Sequence, residues 1–322
     1  MSKTDTIRLN MLGLPVIQSI DDFSNQTHIS KFTIYQLSQN SDKYYKTYTI
    51  PKKSGKLRDI SQPSKKLKGL QSWVLVNILN KLKVSNSCKG FEKGSSTYDN
   101  AKPHIGANSV LTIDLKDFFP TITQKQIFNI FRAIGYNNLI AIILSKICTY
   151  KETLPQGSPC SPKLANLTAW RLDVRLQGYV GKRGINYTRY ADDLSFSGLT
   201  PSKVIQIIPK VKEIIQDEGY IINTSKTRIA GLSRAKIVTG LTISNNSIGI
   251  GKNKYKTLRA KIFHLTKDSE QKNKKLLYEV NGWLAYLKSV DVRRLNKARK
   301  FIHDLKVKYP TTLIMELKWD KK

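Results

Sequence analysis

Apolar positions along this chain change period several times, and each change marks an element. Tyr45-Lys46-Thr47-Tyr48-Thr49-Ile50 alternates, Lys53-Ser54-Gly55 offers a turn, and Lys56-Leu57-Arg58-Asp59-Ile60 returns, so residues 44–62 predict a hairpin. Leu67, Leu70, Val74, Leu75, Ile78 and Leu82 keep helical spacing and predict a helix over 64–83. Ser109-Val110-Leu111-Thr112-Ile113 predicts a short strand ending at Asp114. Helices are expected from about Thr123, with Ile127, Ile130 and Phe131 on one face, and over 139–150. Ser161 before Pro162 reads as N-cap and first helical residue of a helix to about Gln177, stopped by Gly178. Thr200-Pro201 repeats that signal for a helix to about Glu218, kinked at Pro209 and stopped by Gly219. Residues 220–222 and 236–243 return to strand. From Lys252 the pattern is helical, with Leu276, Leu277, Val280, Trp283, Leu284 and Leu287 lining one face and Leu295, Ala298, Ile302 and Leu305 another. Residues 1–35, polar and mixed, suit one or two short helices, and no repeat or long low-complexity linker interrupts the chain.

Charge changes this picture of an ordinary mixed domain. The 322 residues are 40% hydrophobic, enough for a substantial core, yet 55 basic against 23 acidic residues leave a net charge of +32. Basic residues recur from Lys52 to Lys322, so the charge is not a tail on a neutral domain. Self-repulsion on that scale implies a polyanionic partner whose counterions are released on binding; the plainer alternative is a basic surface that serves solubility. Tyr44, Tyr45, Tyr48, Trp73, Trp283 and Tyr286, interleaved among the basic residues, favour nucleic acid over membrane. Cys88, Cys148 and Cys160 lie too far apart for a zinc motif or a disulfide framework, which suits a reducing compartment. With no apolar run of spanning length and no signal-peptide pattern, a cytoplasmic protein without a membrane partner is expected.

Against this basic background, adjacent acids need a reason. Tyr190-Ala191-Asp192-Asp193 lies between two alternating segments, Ile185–Arg189 and Leu194–Ser197, which places Asp192 and Asp193 at a hairpin tip. A solvated turn is the simpler explanation for the pair alone, as a helix cap or turn is for Asp114 alone. Taken together, Asp114 and the pair occupy equivalent strand ends about 80 residues apart. If their strands are neighbours, three carboxylates converge. That arrangement suits two magnesium ions of the kind that drive nucleotidyl transfer, and the absence of His and Cys from the cluster disfavours zinc.

Further motifs turn this chemistry into a resemblance. Ile113-Asp114-Leu115-Lys116-Asp117-Phe118-Phe119, Leu154-Pro155-Gln156-Gly157-Ser158-Pro159 and Tyr190-Ala191-Asp192-Asp193, in that order and spacing, resemble the reverse transcriptases. Asn100-Ala101-Lys102-Pro103-His104 is similar to the NAxxH signature of bacterial retron reverse transcriptases, and Val238-Thr239-Gly240 to their VTG signature. The resemblance runs from about residue 30 to the end. It implies an α+β right-hand polymerase fold: an N-terminal helical extension over 1–34, fingers and a palm with an antiparallel sheet over 35–245, and a basic helical thumb over 246–322. Residues 241–322 carry 20 Lys and Arg against 7 Asp and Glu, which suits such a thumb.

The resemblance implies that Asp114, Asp192 and Asp193 are the catalytic metal ligands, for two Mg2+ ions. It also implies that Lys56 and Arg58 on the fingers hairpin bind the incoming deoxynucleoside triphosphate, where a guanidinium suits bidentate phosphate contact. Phe119 falls at the steric gate against a ribose 2′-OH, with one of Phe118 and Phe119 expected in the core. Gln156, beside a glycine that permits close approach, and Lys226 complete the nucleotide set. Asn100, His104, Trp283, Arg293, Arg294 and Lys297 are expected to contact RNA, His104 either in that way or by organising the local fold. The implied activity is RNA-directed DNA synthesis on a structured retron non-coding RNA. It is primed from an internal guanosine 2′-OH and gives a branched DNA–RNA hybrid, msDNA, used with an effector protein in antiphage defence. The segment after Gly240 is too short and too poor in acids for an RNase H domain, so a host RNase H is an expected partner. A group II intron-like or diversity-generating enzyme, or a non-catalytic RNA-binding scaffold, are the alternatives.

Overall fold

The computed structural model describes residues 3–51, 55, 57–268 and 273–317. The chain opens with three short helices, α1 (Lys3–Met11), α2 (Ile20–Thr27) and α3 (Lys31–Gln39), where one or two were expected. The extra break comes from capping: Ser19 and Asp22 form a reciprocal capping box at α2, and Ser30 caps α3. The expected hairpin follows as β1 (Tyr45–Pro51) and β2 (Leu57–Pro63), antiparallel, with Thr47 opposite Ser61 and Tyr48 opposite Ile60. Helix α4 (Lys65–Asn77) is shorter than its apolar spacing suggested, and a 3₁₀ turn over Leu79–Lys81 takes up the remainder. Then come α5 (Thr97–Ala101) and β3 (Ser109–Lys116), which carries Asp114 inside the strand instead of at its end.

Helices α6 (Gln124–Ile134) and α7 (Asn138–Cys148) lie where periodicity put them; Thr123 caps the first through a capping box and Asn137 the second. The helix expected over 161–177 is two, α8 (Ser161–Thr168) and α9 (Trp170–Gly181). Cys160, not Ser161, holds the capping position, and Gly178 continues inside α9 because nothing at that position ends the backbone ladder. Strands β4 (Asn186–Tyr190) and β5 (Asp193–Gly198) form the acidic hairpin. The next helix divides into α10 (Pro201–Gln206) and α11 (Ile208–Asp217). Pro209 has no N–H to donate and so sits in the first turn of α11, giving a break where a kink was expected. After β6 (Ile221–Ala230), residues 236–243 form not one strand but a tight hairpin, β7 (Lys236–Val238) and β8 (Leu241–Ile243). Thr239 (φ 45°) and Gly240 (φ 77°) make its two-residue turn, a geometry that requires positive φ at both positions. β9 (Ile248–Gly249), α12 (Lys252–His264), α13 (Lys274–Val290) and α14 (Val292–Lys308) complete the fold.

The sheets are β1-β2, a four-stranded sheet in the order β4-β5-β3-β6, and β7-β8-β9. Two compact units result. The first comprises Met1–Gly94, Ile113–Leu194 and Gln206–Thr227; the second comprises Ser95–Thr112, Ser195–Ile205 and Arg228–Lys322. In the first, Leu67, Val74, Phe131, Leu144, Leu164 and Leu172 are fully buried. In the second, the apolar faces read from the sequence meet: Val280, Leu284 and Leu287 of α13 join Leu295, Ala298 and Ile302 of α14 and Val238 and Leu241 of the β7-β8 hairpin in one core.

Candidate active site

The two-residue link between β4 and β5, Ala191 and Asp192, reverses the chain sharply, and Ala191 adopts a left-handed conformation (φ 58°) to do so. Asp192 stands in the turn and Asp193 opens β5. The Leu115 amide donates to the Asp192 carbonyl at 2.9 Å, which fixes the turn beside the residue following Asp114. Asp114 is buried; its Oδ1 accepts from Lys226 Nζ at 2.6 Å and its Oδ2 from Asn223 Nδ2 at 3.1 Å, both residues of β6. Strands β3 and β6 and the β4-β5 turn therefore bring Asp114, Asp192, Asp193 and Lys226 together, four of the residues singled out from sequence.

The crowding of charge shows in their acidities. Desolvation raises the Asp192 carboxyl above its ordinary value, and the Asp114 charge adds to the shift while Lys226 and Arg58 oppose it. Asp193 is pushed up to about 6 by desolvation and then by Asp192 and Asp114, although its side chain still reaches solvent. Lys226 is raised, first by its hydrogen bond to Asp114 and then, against desolvation, by the three carboxylates. An acidic centre whose members hold one another's protons is one that a cation would relieve.

Beneath the turn lies a buried polar frame. Arg189, fully buried, donates from Nε and Nη2 to the two oxygens of the equally buried Asp173 at 2.8 and 2.7 Å. Its Nη1 donates to Asn166 Oδ1 at 3.1 Å and to the Ala191 carbonyl at 3.2 Å, so the frame reaches the β4-β5 turn itself. Tyr187 also donates to Asp173, at 2.8 Å. Burial works against the guanidinium charge, but Asp173 outweighs it and leaves the Arg189 pKa raised. On the other side of the turn Gly90 comes so close that a Cβ there would lie 2.5 Å from the Ala191 nitrogen.

Arg58 is exposed on β2 yet near enough for its charge to act on Asp192. Lys56 lies outside the described residues. Phe118 is the core member of its pair (3% exposed), and Phe119 is half-buried, its ring 5.7 Å from that of Phe118. The Gln156 carbonyl accepts from the Ser61 amide of β2 at 2.8 Å, and Gly157 (φ 134°) presses against the same strand, where a Cβ would lie 2.5 Å from the Ser61 oxygen. The Gln156 loop is thereby docked on the β1-β2 hairpin.

In the second unit the expected RNA residues separate into two groups. Asn100 and His104 are fully buried, so neither side chain has surface to offer an RNA, and the expectation of contact is corrected for both. His104 Nδ1 pairs with Ser197 Oγ at 2.7 Å, and desolvation lowers its pKa to about 4. Asn100 Nδ2 donates to Thr239 Oγ1 in the β7-β8 turn at 3.5 Å, so the Asn100-to-His104 and Val238-to-Gly240 motifs meet as structure. Trp283 is partly buried against the core, its ring 6.1 Å from that of Tyr286. Arg293 and Lys297 are exposed, and with Arg294, Lys252 and Lys254 they line a groove of about 1260 Å³ beside β8 and β9. Arg294 is held there by Asp291, at 2.8 Å.

The family model for reverse transcriptases (RNA-dependent DNA polymerases) matches residues 50–276. Over 309 residues the chain is 48% identical to the retron Ec86 reverse transcriptase of Escherichia coli, covering 95% of each protein. This chain belongs to the retron reverse transcriptases. The retron Mx65 reverse transcriptase of Myxococcus xanthus is 32% identical over 321 residues, covering 92% of this chain and 74% of that one. Among solved structures, the telomerase of Candida tropicalis in complex with a TWJ fragment of telomeric RNA aligns with a TM-score of 0.53 at 14% identity. That alignment covers 83% of this chain and 54% of the telomerase, about half its length, and bears on the fold alone, which is the right-hand polymerase fold.

Reverse transcriptases are RNA-directed DNA polymerases that use divalent metal ions and deoxynucleoside triphosphates. Among the described residues of this retron enzyme no three His, Cys, Asp or Glu side chains are drawn in tightly enough to enclose a metal. The donor set still fits one: all-oxygen ligands suit a hard cation, and the Lys226 ammonium already sits on Asp114 as a cationic stand-in. Sequence reasoning missed Asn223, Arg189 and Asp173. For Asp173 a signal existed, an acid at a core position of α9 in line with Leu172, Leu176 and Val180; for the others there was none in periodicity.

Proposed function

We propose that this retron reverse transcriptase copies a structured retron non-coding RNA into DNA with two Mg2+ ions held by Asp114, Asp192 and Asp193. The observation that carries the proposal is the Leu115-to-Asp192 backbone bond, which sets the β4-β5 turn beside the Asp114 stretch of β3 so that their carboxylates perturb one another. Bound there, the metal ions would activate the attacking hydroxyl and stabilise the leaving pyrophosphate oxygens. Lys226 releases Asp114 and turns to the triphosphate. Arg58, with Lys56, supplies donors to the same phosphates from the fingers hairpin. Phe119 lies under the sugar and excludes a 2′-OH, and the Gln156 loop, docked on β2, holds nucleotide and template.

The similarity to curated retron enzymes, together with the Asn100-to-His104 and Val238-to-Gly240 motifs, supports the finer reading. Synthesis starts from the 2′-OH of an internal guanosine and yields branched msDNA. A host RNase H removes template RNA, and the enzyme with its hybrid holds an effector protein in check until phage infection, in the bacterial cytoplasm. No described helix is long and apolar enough to cross a membrane. Arg293, Arg294 and Lys297 form the RNA-binding part of the groove, acting on phosphates and helix shape, and Trp283 adds an aromatic surface on α13.

Primer extension on an RNA template with Mg2+ tests the chemistry: wild type extends, and Asp192→Asn loses activity. Unchanged extension by Asp192→Asn would overturn the metal-site assignment. Small nucleic acids extracted from cells expressing the whole locus should contain a short branched DNA; without it the retron-specific reading fails even if extension succeeds.

A further inference from the structure

Phe91 is a large aromatic residue left 45% exposed, in a left-handed conformation (φ 62°) that costs a phenylalanine conformational energy. Its neighbours leave it little choice. Lys89 N–H donates to the Arg189 carbonyl at 2.8 Å, and Gly90 lies against the catalytic turn with its carbonyl accepting from Asn166 Nδ2 at 2.7 Å. Glu92 is held by Lys163 at 2.7 Å and by Asn166 at 3.0 Å. A segment pinned on both sides thus presents one unburied ring, and that ring stands 6.1 Å from Phe119 and 6.5 Å from Tyr190.

We infer that Phe91 is a positioning residue for sugar selection, holding the Phe119 ring in place against a ribose 2′-OH. The inference rests on Phe119 being the sugar gate. Phe119 has two aromatic neighbours among the described residues, Phe118 and Phe91. Phe118 is buried and packed on Tyr220, at 5.7 Å, and so has little freedom to move. A half-buried ring pressed by a 2′-OH can yield only by rotating, and Phe91, the more exposed of the two neighbouring rings, is the one that resists this. Selection against ribonucleotides is therefore a property of two rings, and the left-handed strain at Phe91 is what aims the second one. Without Phe91 the gate still stands, but it yields.

The test is the ratio of kcat/KM for a deoxynucleotide to that for its ribonucleotide, measured on a primed RNA template with the full-length enzyme. Phe91→Gly removes the ring and suits the positive φ, so its fold should be preserved; Phe91→Leu serves as a second variant, and melting curves check both. Phe91→Gly should lower the ratio about tenfold, the modest end of what pocket-shape changes achieve. The loss should come mainly from a lower KM for the ribonucleotide, with the deoxynucleotide KM nearly unchanged, and Phe91→Leu should restore part of it. Phe119→Val should lower the ratio further, and adding Phe91→Gly to it should lower it no more, because Phe91 acts through Phe119. A collapsed ratio in Phe119→Val with an unchanged ratio in Phe91→Gly, or independent losses that multiply in the double variant, would overturn the inference alone. An unchanged ratio in Phe119→Val would instead remove the gate, and the inference with it.

Discussion

Replacing Asp173 by Asn takes one charge from a pair that is completely buried. The wild-type carboxylate accepts Arg189 Nε and Nη2 at 2.8 and 2.7 Å and the Tyr187 hydroxyl at 2.8 Å, with both side chains of the pair at 0% exposure. Asparagine keeps the volume but leaves a guanidinium uncompensated away from water, and breaking a buried pair in this way costs about 3–5 kcal/mol. At roughly 2–4 °C per kcal/mol for a domain of this class, the melting temperature should fall on the order of 10 °C, read by circular dichroism. Removing both charges by Arg189→Met with Asp173→Leu should recover much of the stability, since an apolar pair of similar volume carries no desolvation penalty. It should not recover polymerase activity, because the Ala191 carbonyl also loses its 3.2 Å donor and the turn carrying Asp192 and Asp193 is no longer held from below. A single variant that melts within about 2 °C of wild type, well under the expected cost, or a double variant that melts lower than the single, would refute the reasoning.

Further outcomes are specific. His104 has a folded pKa of about 4 against an ordinary 6.5, so the unfolded chain binds the extra proton between those values. The stability from neutral, buried His104 is therefore complete above about pH 6.5 and lost as pH falls toward 4, by roughly 3 kcal/mol, and His104→Gln should flatten that part of a urea-denaturation pH profile. Gly157→Ala puts a Cβ 2.5 Å from the Ser61 oxygen at a φ of 134°. It should loosen the Gln156 loop from β2, raising the deoxynucleotide KM and costing about 1–3 kcal/mol in a melt. RNA affinity should fall steeply with salt, and Arg293→Ala with Lys297→Ala should reduce the slope of log K against log salt by about 0.7–0.9 per lost phosphate contact. An unchanged slope in that double variant would remove the groove from the RNA-binding surface.

Local chemistry was legible where it is local. The β4-β5 turn, the helix start near Thr123, the apolar faces of α13 and α14 and the β1-β2 hairpin all follow from local spacing, and the structure has them where the pattern put them. Errors came where a single competing residue decides the outcome. Pro209 divided a helix instead of kinking it, and Thr239 with Gly240 folded one apparent strand into a hairpin. For Asn100 a sequence motif suggested a surface role, and for His104 either a surface role or a local folding one; both side chains are core groups that fix one segment to another.

The sequence by itself determined that two acids stand at a hairpin tip, that a third closes an apolar run, and that a strongly basic chain surrounds them. Only the tertiary structure decided that β3 lies between β5 and β6, which puts Asn223 and Lys226 on Asp114 and the Leu115 amide on Asp192. It alone decided that Arg189 and Asp173 carry the turn from beneath and that Phe91 faces Phe119. The physical reason is range. Hydrogen-bond periodicity and turn chemistry act between neighbours and are written in short stretches of residues. Strand order and buried ion pairs depend instead on how distant apolar surfaces sum to one core, and no short stretch holds that sum.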